Sequence, residues 1–172
     1  DGRVLAVRGS MLSDQGAYTP QGINLAYNAS TGVPGPYIVP NYEIDVHVVE
    51  TNVVAAAPVR GAGYPEGNYT MERLLDRAAQ GLGIDRAEIR DRNLIPVELI
   101  PYETPLKTRA GSPVCADSGD FRKCQQIALD RIDYAGFAAR QAAARAEGRY
   151  IGIGLANSLK GTGRGPFESG SV

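Results

Sequence analysis

The sequence contains no tryptophan, a single histidine and two cysteines among its 172 residues. Cys115 and Cys124 match neither a Cys-x-x-Cys metal knuckle nor a disulfide-rich secreted scaffold, so we expect free thiols. His47 is the only histidine, which argues against a Ser-His-Asp triad or a histidine-built metal site. The alternating pattern around His47 predicts a partly buried strand residue.

The sequence also lacks an excess of charge and a long apolar run. Lys and Arg total 18 against 19 Asp and Glu, a net charge of -1 that does not favour binding to nucleic acid or anionic membranes. Apolar runs such as residues 53–59 are far shorter than the roughly 20 residues that span a bilayer. We therefore expect protein and small-molecule partners, no nucleic acid and no membrane.

The order of apolar, glycine and proline residues predicts strands and loops along the chain. Alternating apolar residues predict strands in residues 3–19 and 42–52. Clusters of glycine, proline and polar residues predict irregular loops in residues 20–40 and 96–118. Residues 149–157 predict a further strand, whose alternate glycines weaken it unless another group must approach that face closely.

About four helices are expected between and after these segments. They run from Pro65 or Glu66 to Gly81, from the N-cap Asp85 to Asn93, from a cap at Ser118 or Asp120 to Arg131, and from Tyr134 to Glu147. Asp85 with Glu88 three positions later forms an acidic variant of the capping box. Together with mainly antiparallel strands, these helices predict a mixed α+β fold.

The two ends of the sequence lie in segments that predict paired strands. Asp1-Gly2-Arg3 is typical of a hairpin turn, and Ser171-Val172 stands where a new strand is expected to begin. We therefore expect the chain to be an internal fragment of a longer polypeptide.

Residues 57–76 join a glycine-rich loop to an amphipathic helix. Gly61 and Gly63 permit positive φ and a close backbone approach, while Arg60 adds a fork of hydrogen-bond donors beside the helix N-terminus. This combination suits an anionic group. An alternative interpretation is a tight turn in which Arg60 pairs with a surface carboxylate.

A dinucleotide-binding fold is an alternative from a different class. The spacing here is Gly61-x-Gly63-x-x-x-Gly67, which differs from G-x-G-x-x-G. Asp85 lies at the distance of the ribose-binding acid but belongs to a helix cap. No carboxylate pair indicates acid–base catalysis, because Glu72, Asp76, Asp117 and Asp120 are interpreted as caps or a solvated helix face.

Several motifs together resemble one enzyme family. Residues 58–95, PVRGAGYPEGNYTMERLLDRAAQGLGIDRAEIRDRNLI, combine an RGxGxP turn, an E-x-x-L-D helix and an L-G-x-D-x-x-x-I-R-x-R-N-L segment. Residues 14–18 (DQGAY), 117–121 (DSGDF) and 152–172 (a GIG strand followed by GTGRGPFE) extend the similarity. The chain resembles the molybdenum-binding large subunit of the xanthine dehydrogenase, aldehyde oxidase and carbon monoxide dehydrogenase family.

The resemblance implies an oxidoreductase that contains a molybdopterin cofactor, in bacteria usually its cytosine dinucleotide form. Such enzymes hydroxylate aldehydes or N-heteroaromatic rings with oxygen from water. Electrons leave through iron–sulfur clusters and commonly FAD on partner subunits or domains. The implied location is cytoplasmic, with a periplasmic one left open because some relatives are exported.

The resemblance also implies roles for individual residues. Arg60 matches the arginine beside the molybdenum centre and is the expected catalytic and cofactor contact, with Gly61 and Gly63 as further cofactor contacts. Ala62 and Gly161 match positions where purine-oxidising members place aromatic rings, and with Thr162 they are expected to line the substrate pocket. Gly61 stands where carbon monoxide oxidising members have cysteine. No residue is expected to bind the metal directly.

The expected domain organisation is one fragment, residues 1–172, of the molybdopterin-binding domain. It includes the cofactor loop and helix of residues 57–95 and a second glycine-rich loop in residues 149–172. The family's GGxFGxK-like loop, glutamine-rich cofactor segment and GxGE loop with the general-base glutamate have no counterpart here. The fragment is therefore expected to be inactive alone. The alternative is a structural or subunit-contact module that has lost cofactor binding.

Overall fold

The computed structural model of the chain describes residues 1–19, 23–107, 111–161 and 170. Its elements are β1 Val7–Asp14, α1 Ile23–Gly32, β2 Tyr42–Val49, α2 Tyr64–Leu82, α3 Arg86–Asn93, a 3₁₀ helix Val97–Leu99, β3 Tyr102–Lys107, β4 Pro113–Ala116, α4 Phe121–Arg131 and α5 Phe137–Ala146. This confirms the α+β class. The described part contains five α-helices, one more than expected.

Internal contacts divide the chain into two compact units. The first unit comprises Asp1–Val7, Pro36–Tyr42 and Glu72–Asn157, and the second comprises Arg8–Gly35, Glu43–Met71 and the described part of Ser158–Val172. Helix α2 begins in the second unit and ends in the first. Most of the predicted site residues belong to the second unit.

A β1–α1–β2 arrangement forms most of the second unit, and only the first residue of each strand belongs to the first unit. Strands β1 and β2 form a two-stranded sheet. The N–H of Val7 donates to the carbonyl of Asn41 at 2.9 Å, and the N–H of Gln15 donates to that of Val49 at 2.9 Å. Because both residue numbers rise together, the strands run in the same direction. Such a parallel pair needs a crossover connection, which contains α1.

Helix α1 was not predicted, because the loop assignment of residues 20–40 was wrong for this part. The glycines and prolines that indicated a loop lie at and after the end of the helix. Ala26, Ala29 and Ser30 are buried at helical spacing along one face of α1. The contact face of α1 therefore consists of small residues. Such residues give only a weak amphipathic pattern in the sequence, so the helix is difficult to predict.

Helix α2 packs its first turns closely against α1. A Cβ atom at Gly67 would lie only 2.4 Å from the carbonyl oxygen of Ala29, so glycine is required for this approach. Further along α2, which was predicted to be amphipathic, the buried apolar face is narrow. Leu75 and Ala79 are buried, whereas Leu74 is 47% exposed.

The first unit has its core around α3 and the segment that follows it. Tyr37 and Leu94 form an antiparallel bridge, and Ile38 donates its N–H to the carbonyl of Asn93 at 2.8 Å. Ile89 and Leu94 are almost completely buried. The predicted N-cap of α3 is confirmed, since the Asp85 carboxylate accepts hydrogen bonds from the next turn.

Residues 96–118 contain a β-hairpin where an irregular loop was expected. Strands β3 and β4 pair antiparallel, with Tyr102 opposite Ala116 and Glu103 opposite Cys115. Pro105 and Pro113 obscured the strand pattern. A two-stranded sheet consists entirely of edge strands, where proline is tolerated because one side of each strand forms no ladder bonds.

Residues 149–157 were predicted to form a strand, and the structure assigns them no strand. The burial of these residues nevertheless alternates as it does in a strand: Ile151, Ile153 and Leu155 are half-buried, and the residues between them are exposed. A Cβ at Gly152 or Gly154 would meet no described atom within 4 Å. Within the described residues, no group approaches the glycine face closely.

The remaining predictions about single residues have mixed outcomes. Both cysteines are free and exposed. His47 lies in β2 as expected, but its side chain is exposed, contrary to the expected partial burial. The carboxylate of Asp120 caps α4 by accepting the N–H of Lys123 at 2.9 Å.

None of the helices among the described residues has the length and apolar character needed to span a bilayer.

Candidate functional site

A turn with left-handed backbone geometry leads into helix α2. The N–H of Ala62 donates to the carbonyl of Val59 at 3.0 Å, and the N–H of Tyr64 donates to that of Gly61 at 3.1 Å. The φ angles of Gly61, Ala62 and Gly63 are 121°, 47° and 97°. Alanine in the left-handed region costs about 1–2 kcal/mol. Contacts around the turn must therefore hold Ala62 in place.

Helix α1 provides these contacts. The side-chain amide of Asn28 donates to the carbonyl of Ala62 at 2.8 Å. Gly63 is buried, and a Cβ there would lie 2.2 Å from the carbonyl oxygen of Leu25. Gly63 is thus explained by the close approach of the turn to α1. Asn28 was missed by the sequence reasoning because the region was interpreted as a loop.

Arg60 lies on the solvent side of this turn. Its side chain is exposed, and within the described part of the chain no hydrogen bond or ion pair to its guanidinium is found. Residues 59–65 contain no acidic residue, and the first acid of α2 is Glu66. The alternative interpretation requires Arg60 to pair with a surface carboxylate, and no described carboxylate pairs with it. The turn presents a fork of donors to solvent.

The structure brings the start of the second glycine-rich segment to this region. The Lys160 ammonium lies 5.9 Å from the centroid of the Tyr64 ring, a cation–π distance. Gly161 follows directly and is exposed. Thr162, the third predicted substrate-pocket residue, lies outside the described residues. Neither Lys160 nor Tyr64 was singled out from the sequence.

The DQGAY segment anchors the chain that leads to the turn. The Asp14 carboxylate accepts the N–H of Gly16 at 2.8 Å and the hydroxyl of Thr51 at 2.7 Å. These hydrogen bonds, with that from Gly16 the stronger, lower the pKa of Asp14. The carbonyl of Gln15 accepts the N–H of Ala56 at 2.9 Å. The Asp and the Gly of the motif thus have a structural role.

The side chain of Gln15 contains an unsatisfied buried atom. Gln15 is fully buried, its Nε2 donates to the hydroxyl of Ser13 at 2.8 Å, and its Oε1 has no partner among the described residues. Burying an unpaired amide oxygen costs about 1–3 kcal/mol. This oxygen is therefore an unused hydrogen-bond acceptor.

In the first unit, the acids of α2 form a buried ion network, so their interpretation as a solvated helix face was wrong. Arg90 is completely buried and donates to Glu72 Oε2 at 2.7 Å and to Asp76 Oδ1 at 2.9 Å. The hydroxyl of Tyr37 donates to Glu72 Oε1 at 2.5 Å. Burial is the largest single influence on the pKa of Arg90 and lowers it, but the hydrogen bonds and charges of Glu72 and Asp76 together outweigh burial and raise the pKa.

The network extends to the segment that precedes Lys160. The Asn157 side chain donates to the hydroxyl of Tyr37 at 3.2 Å and to Gln125 Oε1 at 2.8 Å. Burial, followed by the charge of Glu72, raises the pKa of Tyr37 well above its usual value. The phenol hydroxyl donates to Glu72 and accepts from Asn157, so it links the ion network to the later segment. Within the described residues, every buried side-chain nitrogen and oxygen of this cluster has a hydrogen-bond partner, and we interpret the cluster as structural.

Within the described residues, no group of three or more His, Cys, Asp and Glu side chains is arranged to hold a metal ion. The predicted site residues Arg60, Gly61, Ala62 and Gly63 lie together on one turn. The turn presents the hydrogen-bond donors of the cationic Arg60, which suit a polar or anionic group.

Comparison with known proteins identifies the class. The sequence profile of the molybdopterin cofactor-binding domain family matches residues 1–94, which include the whole turn and Gln15. The chain belongs to this family. Residues 157–162 lie beyond the matched region.

Individual relatives sharpen the comparison. The gamma subunit of the 6-hydroxypseudooxynicotine dehydrogenase complex of Paenarthrobacter nicotinovorans is 33% identical over 100% of the chain and 22% of its own length. The carbon monoxide dehydrogenase large chain of Hydrogenophaga pseudoflava is 32% identical over 98% of the chain and 21% of its own length. Quinoline 2-oxidoreductase from Pseudomonas putida 86 superposes with a TM-score of 0.73 and 31% identity, covering 86% of the chain and 18% of that structure's chain. The chain thus spans about a fifth of the length of these relatives.

Proposed function

We propose that the chain is part of the large subunit of a molybdenum hydroxylase. This enzyme oxidatively hydroxylates an aldehyde or an N-heteroaromatic substrate with oxygen from water and passes electrons to iron–sulfur and FAD partners. The observation that carries the proposal is the exposed Arg60 on a left-handed turn inside the matched family region, without a protein acceptor among the described residues. The compartment we propose is the cytoplasm, with the periplasm as the alternative.

The residues at the turn fit a molybdopterin group. Arg60 offers several N–H donors in an acid-free stretch, and Gln15, whose carbonyl accepts the N–H of Ala56 ahead of the turn, has an unused buried acceptor in its Oε1. A cofactor of this class supplies the redox chemistry when bound, while the protein orients it and adjusts its electrostatics. Arg60 would hold a polar or anionic group, the backbone of Gly61 would allow close approach, and Gly63, which is packed against α1, would add a backbone contact. In bacteria the proposed form is the cytosine dinucleotide.

Residue types at the turn favour an N-heteroaromatic or aldehyde substrate. Ala62 and Gly161 are proposed to line the substrate pocket with Thr162, and neither provides an aromatic ring for a purine. Gly61 provides no thiol, which disfavours carbon monoxide. Quinoline, in the name of one relative, is an N-heteroaromatic compound, and this supports the same substrate class.

The proposal is tested first on the complete enzyme that contains this chain, purified with its partner subunits. We expect molybdenum and, after acid hydrolysis, cytidine monophosphate in about equimolar amounts. We expect residues 1–172 expressed alone to show no hydroxylase activity, because the base and the opposite cofactor wall are supplied by other segments. A complete subunit without molybdenum under cofactor-replete expression would contradict the proposal.

Arg60 is tested by substitution in the same enzyme. Because a preorganised cation beside developing charge is difficult to replace, we expect Arg60→Ala to lower kcat/KM by about 10²–10³-fold. Arg60→Lys should retain an intermediate rate. Arg77→Ala, which removes an exposed arginine from α2, is the matched control and should leave kcat/KM unchanged. Equal rates for the two alanine variants would show that Arg60 has only a structural role.

A second candidate is a structural or subunit-contact module that no longer binds a cofactor. It is favoured by one observation: close packing on α1 is sufficient to explain Gly63 and Gly67. The two functions differ in the expected metal content. A fully assembled complex that is stable without molybdenum and pterin would support the structural module.

A further inference from the structure

Lys160 is a charged residue at the candidate site to which neither the family motif nor the proposed chemistry assigns a role. Its side chain is exposed, and its ammonium lies over the Tyr64 ring at 5.9 Å from the centroid. Both residues belong to the second unit. No carboxylate in the described part of the chain pairs with this ammonium. Its charge is therefore oriented by an aromatic ring and left without a described counter-ion.

The Tyr64 ring is a fixed platform for this cation. Tyr64 is the first residue of α2, and its N–H is bound to the carbonyl of Gly61 at 3.1 Å. A Cβ at Gly32, the last residue of α1, would lie 3.4 Å from Tyr64 Cδ1, so the ring packs against the end of that helix. A cation–π contact at an exposed position changes the populations of a flexible side chain by about two- to fivefold. This is enough to favour one position of a flexible side chain and leaves the charge available.

The surroundings of the ring favour an anionic occupant. The turn next to Tyr64 carries Arg60 and no acid, and Lys160 directly precedes Gly161, a proposed pocket residue. A bound anion beside Lys160 would gain a charge-assisted hydrogen bond, which is stronger than one between neutral groups. A neutral substrate would gain no such bond.

We propose that Lys160 is a specificity-determining residue that recognises a carboxylate on the ring of an N-heteroaromatic substrate, with Tyr64 holding the ammonium in position. This inference rests on the proposed hydroxylase function and deepens it. A phosphate of the cofactor is an anion of related chemistry, and the experiment separates the two sources. The carboxylate forms an ion pair with the ammonium and does not take part in the oxidation.

The test compares nicotinate with nicotinamide, which differ in charge and share the same ring. With the complete enzyme, we expect wild type to oxidise nicotinate with the higher kcat/KM. Lys160→Met should lower the nicotinate-to-nicotinamide ratio by about tenfold, as expected for loss of a hydrogen bond to a charged group. The change should appear in KM, because the contact is equal in the ground and transition states. Lys160→Arg should keep most of the preference, and Lys160→Glu should abolish it.

Equilibrium binding and two ring variants complete the experiment. The Kd of nicotinate, measured calorimetrically without electron acceptor, should rise about tenfold in Lys160→Met. Tyr64→Leu removes the ring and should weaken nicotinate binding by a few-fold, whereas Tyr64→Phe retains the ring and should weaken it less than Tyr64→Leu does. Tyr64→Phe also keeps the packing against Gly32, so its result does not depend on refolding of the turn.

The outcomes distinguish this inference from the proposed function. Molybdenum and cytidine monophosphate contents equal to wild type in Lys160→Met support a substrate contact, and their loss would assign Lys160 to the cofactor and overturn the inference. Wild-type enzyme that contains molybdenum but prefers nicotinamide, or oxidises no nicotinate, would also overturn it. Absence of molybdenum from wild type would instead contradict the proposed function.

Discussion

Arg60 and Arg90 show how differently one residue type is used in the two units. Arg90 is completely buried and is bound by the carboxylates of Glu72 and Asp76 and by backbone carbonyls. Arg60 is exposed on a strained turn, and no acceptor for it is found among the described residues. Paired donors stabilise a fold. The N–H donors of Arg60, which have no described acceptor, are available to a ligand.

The difference extends to the surroundings of each arginine. Around Arg90, Tyr37 and Asn157 satisfy the remaining polar groups, as burial in a low-dielectric environment requires. Around Arg60, glycine geometry and a hydrogen bond from Asn28 fix the backbone and leave the side chain in solvent. We therefore interpret the Arg90 network as structural and the Arg60 turn as functional, and substitutions can test this contrast.

The largest expected effect is on stability at Arg90. In Arg90→Met the carboxylate of Glu72 stays buried without its cation, which costs about 3–5 kcal/mol. We expect hydrogen exchange of the α3 amides in the complete subunit to show this loss in the free energy of opening. A loss below about 1 kcal/mol would contradict the structural role.

Two variants serve as controls for the Arg90 substitution. Combining Arg90→Met with Glu72→Met removes the two most deeply buried charges, and we expect it to recover part of the lost stability because the remaining carboxylate, Asp76, is partly exposed and still pairs with Arg73. Arg60→Met should change the free energy of opening by less than about 0.5 kcal/mol, since surface substitutions seldom do more. If Arg60→Met destabilised the turn as strongly as Arg90→Met destabilises α3, Arg60 would have a structural role as well, and the interpretation of the two arginines would be wrong.

A smaller effect is expected from two glycines of the same helix, α2. Gly67→Ala places a Cβ 2.4 Å from the carbonyl oxygen of Ala29, and such overpacking costs about 1–3 kcal/mol. At Gly81 a Cβ meets nothing within 4 Å, so Gly81→Ala should stabilise the helix by about 0.5–1 kcal/mol through its higher helix propensity. Hydrogen exchange along α2 measures both. Equal effects of the two substitutions would show that α1 does not constrain Gly67.

The sequence predicted the elements whose signals are local. The N-caps Asp85 and Asp120 and the boundaries of α2 to α4 follow from capping residues and apolar spacing, and the structure confirms them. The turn at residues 60–63 was likewise located from its glycines. Its functional interpretation depended on the family motif, because glycine-rich turns also occur for purely structural reasons.

What the sequence did not reveal depends on contacts between distant residues. The burial of Glu72 follows from Arg90 18 positions later and from Tyr37 35 positions earlier, and a charged residue on a helix is ordinarily expected in solvent. Lys160 and Tyr64 are likewise far apart in the chain. Helix α1 was missed because its contact face consists of small residues.

The smallest effect concerns the pH dependence of α3 through its N-cap. Partial burial alone would raise the pKa of Asp85, but hydrogen bonds from Glu88, Ala87 and Tyr134 lower it below the usual value. Because the folded-state pKa is lowered, this stabilisation is present above the unfolded pKa of about 3.9 and is lost as the pH falls through the folded-state value. Asp85→Asn keeps a capping acceptor and should reduce the difference in α3 opening free energy between pH 6 and pH 3, whereas Asp85→Ala should lose about 1 kcal/mol already at pH 6. If Asp85→Asn retained the full wild-type pH dependence, another acid of the first unit would control the stability of α3.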